Sequence, residues 1–168
     1  MWRYIGIVNA SIMLIYVFFF FITHETNSIS YYLHTNFTFA VILTLLLIIQ
    51  LITFWKYFLF EPTLYTQLGF VFVVIGYSIL LFVTDLFIHV LGILIFGIGI
   101  IFILYETVDL FPEHVRFFYW FNYGTVFVIF VIGLFFMLYE KNDLFFFFEW
   151  CAMILLVTSN IFTFIMNY

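Results

Sequence analysis

Six apolar stretches of spanning length, roughly 3 to 23, 37 to 59, 64 to 84, 86 to 108, 116 to 139 and 144 to 166, alternate with short polar breaks along the 168 residues of the chain. At about 1.5 Å per helical residue, each stretch matches the ~30 Å hydrocarbon thickness of a bilayer. The first break, His24 to Asn36, reads as a loop and holds His24, Glu25, Asn27, Ser28, Ser30 and His34. Glu61 and Pro62 make the second break, Asp109, Pro112, Glu113, His114 and Arg116 the fourth, and Glu140, Lys141, Asn142 and Asp143 the fifth. From Pro62 to Glu113 the chain is too long for one crossing, and Asp85 stands alone in its middle. The pattern therefore predicts a helical hairpin that turns at Asp85, and overall an all-α membrane bundle of about six transmembrane helices. Lipid offers no partners to an open strand edge, and the alternation of a barrel strand is missing.

Composition narrows the class. With 68% apolar, 27% aromatic and 8% charged residues, the chain cannot present a polar surface to water, so lipid is its solvent and no nucleic-acid partner is expected. No segment is long enough for a soluble head, so residues 1–168 read as a single transmembrane domain. Phe occurs 29 times and Ala at Ala10, Ala40 and Ala152 only, although Ala suits a membrane helix. Phe codons are built from T and Ala codons need G and C. The bias points to an extremely A/T-rich genome, such as a protist mitochondrion, and a chain this apolar is better made inside the organelle than imported. Phe19, Phe20 and Phe21 stand where a cleavable signal would place small residues, so the first helix is expected to be retained. Cys151 is a single cysteine, and no Cys/His spacing suits zinc or an iron–sulfur cluster.

Six spans put both termini on one side, together with Arg3, Lys56 and Arg116, against Lys141 on the other. The positive-inside bias then places the termini in the matrix. Trp2, Trp55 and Trp150 near predicted helix ends suit the interface. Asp85 at a tight turn reads as a hydrated residue or a cap for the next helix. Glu106, about 31 Å further along that helix, belongs near the opposite interface. Glu149 reads as a first-turn acid that complements the dipole of the last helix, with a proton-path role if it lies deeper. Gln50 and Asn160 read as interhelical glue, His89 as a hydrogen-bonding partner of a neighbouring helix, and Lys56 as a snorkelling cation. Haem is not expected, because His24, His34 and His114 fall in loops. Gly92 and Gly99, seven apart, share a helix face suited to close packing, whereas Gly97 in the same segment suits a helix that changes register or carries a π-bulge.

From Glu61 to the C-terminus the chain resembles chain 6 of the mitochondrial proton-pumping NADH:ubiquinone oxidoreductase, respiratory complex I. Glu61-Pro62 stands where that family has Asn-Pro, Asp85 occupies the turn, and Gly97 follows twelve residues later, at the family's spacing. Gly97-Ile-Gly-Ile-Ile-Phe-Ile-Leu-Tyr105 is similar to the apolar run after the family's glycine, and Glu149-Trp-Cys-Ala-Met-Ile-Leu-Leu-Val-Thr158 to the opening of its last helix. Ile95 replaces the family's Tyr and Ile98 its Ala, and the loop between the last two helices is short. Residues 37–168 correspond to the family's five helices, and 1–36 add an N-terminal helix and loop. The resemblance implies a subunit of an H⁺-translocating enzyme, with no active site or cofactor of its own. NADH, FMN, iron–sulfur clusters and ubiquinone would belong to the parent complex. Other membrane-arm subunits, lipids and a respiratory supercomplex would be the partners, in the mitochondrial inner membrane. It also implies that Phe96, Gly97, Ile98 and Gly99 form a deformable segment coupling quinone chemistry to proton transfer, with Asp85 and Glu149 as secondary acidic positions.

Two other expectations compete. His89-Val-Leu-Gly92 and Tyr119-Trp120 are similar to segments of cytochrome c oxidase subunit 3, although Phe121 stands where that family has His and a further helix follows. A lineage-specific structural subunit of a respiratory supercomplex is the third.

Overall fold

A computed structural model describes residues 1–23, 28–58, 63–108, 111–138 and 142–166. Among them seven helices follow in chain order: α1 (Trp2–Thr23), α2 (Ile29–Thr35), α3 (Phe37–Phe58), α4 (Leu64–Phe82), α5 (Leu86–Val108), α6 (Glu113–Leu138) and α7 (Asn142–Met166). All but α2 are long and apolar enough to cross a bilayer. The protein is an integral, multi-pass, all-α membrane protein with six candidate spans. His24, Glu25, Asn27, Glu61, Pro62, Asp109, Glu140 and Lys141 lie outside the described residues, as do the side chains of Ser30, His114, Asn142 and Asp143.

In lipid, burying apolar surface gives little net drive, so helices associate through close packing and interhelical hydrogen bonds. Three such devices organise the bundle. The hairpin of α4 and α5 closes backbone to backbone: a Cβ added at Gly76 would lie 2.5 Å from the Phe96 nitrogen and 2.7 Å from the Gly92 oxygen, and one at Gly99 would lie 2.6 Å from the Gly69 oxygen. Two glycine pairs, each at seven-residue spacing, thus permit the contact. Next, α1 is fixed to α3 by Asn9, whose Nδ2 donates to the Leu46 carbonyl and to Gln50 Oε1, both at 2.9 Å. Finally, α1 meets α7 at the termini. A Cβ at Gly6 would lie 2.6 Å from the Phe164 ring, and the Arg3 guanidinium donates to the Phe164 carbonyl at 2.8 Å and the Ile165 carbonyl at 2.9 Å. A cation on the last carbonyls of α7 suits the negative end of that helix.

Two cores result. At the α2 end, Phe20 and Phe39 pack at 4.4 Å between ring centroids, with Tyr32 and the fully buried Trp150 beside them. At the terminal end, Phe54, Val73, Ile103, Phe111, Tyr119 and Phe164 are buried together.

Three sequence expectations are corrected here. Residues 29–35 form a helix, α2, inside the stretch read as a loop; Ser28 caps it by accepting from the Tyr31 N–H at 2.9 Å. Seven residues are too few to show a period or to persist alone, so docking of Ile29, Tyr32 and Leu33 makes this helix. Trp150 is a core residue, with no interfacial exposure, because α2 folds over it. Glu149 is not in a first turn, because α7 begins at Asn142, nearly two turns earlier.

Candidate functional site

The turn at Asp85 forms as expected. Helix α4 ends at Phe82, and the exposed Asp85 carboxylate accepts the Ile88 N–H at 3.0 Å while its carbonyl accepts from His89 N at 2.8 Å. This is an N-cap, the role favoured from sequence. Glu106 lies in the last turn of α5, at the opposite end.

Helix α5 is α-helical from Leu86 to Val108. Its two faces differ. Gly92 and Gly99 are pressed against α4, whereas a Cβ built on Gly97 meets nothing within 4 Å among the described residues, and its neighbour Ile98 is exposed. Phe96 points elsewhere again, into an interior crevice. The four residues of the expected deformable segment therefore divide: Gly99 is locked, Gly97 and Ile98 face outward, and Phe96 faces inward.

Glu149 is brought to α2. Its Oε2 accepts the Ile29 N–H at 3.1 Å, so the carboxylate serves the N-terminus of the short helix, beside the Ser28 cap.

The structure gathers two groups that sequence spacing did not. At the α2 end, the rings of His34 and His89 lie 6.2 Å apart, with His89 Nδ1 3.4 Å from the Val83 carbonyl that ends α4. His34 is helical, and its buried Nε2 has no hydrogen-bond partner among the described residues. No set of three or more His, Cys, Asp or Glu suited to a metal occurs among the described residues.

The second group is the crevice, a space of about 70 Å³ where α3, α4, α5, α6 and α7 meet. Val73, Phe96 and Ile100 are among its apolar walls, and Gln50, Tyr123 and Asn160 are the polar residues that line it. Gln50 is the interhelical link expected, through Asn9, yet its Nε2 is buried without a partner among the described residues. Asn160 is not: its Nδ2 donates to Leu156 in its own helix at 3.0 Å. Asn9 and Tyr123 were not singled out from sequence, although a lone amide within an apolar run and a Tyr four residues after Tyr119 were visible signals.

Compared with known protein families, characterised proteins and solved structures, the chain matches none.

Proposed function

We propose that this chain is a membrane-arm subunit of the proton-pumping NADH:ubiquinone oxidoreductase, in the mitochondrial inner membrane with both termini in the matrix. It couples quinone reduction to proton translocation through α5 and binds no redox cofactor itself. What supports this is the α4–α5 hairpin. It turns at an N-capping Asp85, has Gly97 at the family's spacing, and holds α5 by one face while no described residue obstructs Gly97. A helix fastened at Gly92 and Gly99 but open at Gly97 has room to change its local winding without breaking its seam with α4.

Gly97→Leu separates the outcomes, because a Cβ at this position meets nothing within 4 Å among the described residues. Expected is impaired proton-coupled quinone reduction by the intact complex, with NADH oxidation by an artificial acceptor retained. Equal loss of both activities counts against coupling through α5. Purification of the chain with haem a and copper, without flavin and iron–sulfur NADH oxidase activity, overturns the proposal in favour of the oxidase.

A further inference from the structure

The 70 Å³ crevice brings three incompletely satisfied polar groups together inside a membrane-spanning bundle. Gln50 is 6% exposed, its Oε1 is taken by Asn9, and its Nε2 donates to nothing described. Among the described residues Tyr123 reaches only Thr163 Oγ1, at 3.5 Å, well beyond the ~2.7–2.8 Å of a good hydroxyl bond. The Thr163 hydroxyl already donates to the Ser159 carbonyl at 2.8 Å, so the Tyr123 hydroxyl is left as the donor of that stretched contact. Asn160 spends its amide N–H on its own helix, and its carbonyl oxygen accepts no hydrogen bond among the described residues. A donor on α3 and acceptor oxygens on α6 and α7 suit a ligand that both accepts and donates.

A second, smaller space of about 10 Å³ adjoins on the far side of Tyr123. Asn122, Tyr119, Ser159 and Thr163 contribute its polar lining. It extends towards Val115 and Met166, the end of the bundle that carries the termini. Since an enclosed water needs roughly 10–15 Å³, the smaller space has room for about one and the larger for up to about five.

We propose that both spaces are water sites, with Tyr123 as their shared wall, forming a hydrated half-path from the middle of the bilayer towards the face that carries the termini. Water accepts from Gln50 Nε2 and donates to the Asn160 carbonyl and to the Tyr123 hydroxyl oxygen. The apolar walls at Val73, Phe96 and Ile100 confine it to that polar edge. Gln50 Nε2 is itself buried, so reaching this water requires its side chain to turn towards the crevice. Left without a partner, a buried amide is destabilising.

X-ray radiolysis, which generates hydroxyl radicals from water in place, reads this directly on the protein in lipid nanodiscs. Oxidation of Tyr123 and Phe96 is expected to run several-fold faster than that of Trp150 and Phe39, which are fully buried in the other core. Gln50→Leu with Asn160→Leu should bring Tyr123 down to that core background while the exposed Tyr4 is unchanged. Wild-type Tyr123 no more reactive than Trp150 overturns the proposal without any variant being folded. Undiminished Tyr123 oxidation in the double variant overturns it as well, since the amides would then not hold the water. The outcome is independent of which complex contains the chain.

Discussion

At the scale of single residues, the two kinds of glycine in the α4–α5 hairpin make the sharpest contrast. Gly76→Ala on α4 drives a methyl into the α5 backbone at Phe96, where nothing flexible can yield. The variant should lose about 1–3 kcal/mol, as overpacked sites do. Gly97→Ala fills open space in a helix interior and should be neutral or stabilising by up to about 1 kcal/mol. Thermal unfolding in detergent micelles ranks the two; equal destabilisation would contradict the close α4–α5 seam. The Asn9–Gln50 pair is open to a double-mutant cycle with Leu, for which a coupling of about 0.6 kcal/mol is expected, the average for interhelical bonds in membranes. Gly92 and Gly99 were legible as a packing face because their spacing is a property of the sequence. The partner glycines Gly69 and Gly76 carry the same spacing, but nothing in a linear string says which two stripes meet.

At the scale of elements, α2 depends on its neighbours. Its first turn is held by Ser28 from its own segment and by Glu149 from α7. Glu149→Ala should weaken its docking by about 1 kcal/mol, a roughly fivefold faster opening, with a similar effect from Ser28→Ala. Hydrogen exchange of the amides of residues 29–35 measures it, and unchanged protection in Glu149→Ala would show that the carboxylate does not hold this helix. The same carboxylate explains why Glu149 was misplaced from sequence. Phe145 to Phe148 mark an apolar start to a span, whereas the helix itself starts earlier, at Asn142, where polar residues sustain helical hydrogen bonds as readily as apolar ones. Hydropathy locates lipid contact, and the backbone sets helix ends.

At the scale of the molecule, α1 joins α3 and α7 into one body, and α4 and α5 form a hairpin beside it, with the crevice between them. With all six candidate spans crossing, Lys56 and the termini share one membrane face and Thr84 lies at the other. In a Cys151→Ser background, an impermeant maleimide should label Lys56→Cys and Thr84→Cys from opposite sides of sealed vesicles. Labelling of both from one side would remove a crossing and with it the arrangement of the hairpin. Both test positions are exposed, so neither substitution disturbs a packed contact.

The sequence by itself determined the solvent, the number of crossings, the turn at Asp85 and the tight-packing face of α5, because each follows from local chemistry. Runs of apolar residues must match bilayer thickness, a single acid between two such runs must reach water, and small residues one face apart must admit a neighbour. Only the tertiary structure decided that α2 exists, that Trp150 is core, that Glu149 serves a helix not its own, that His34 meets His89, and that Gln50, Tyr123 and Asn160 share one space. Each of those joins residues far apart in the chain, and in a chain so uniformly apolar hydropathy distinguishes few faces. Backbone approach at glycines and a handful of polar pairs choose the neighbours instead.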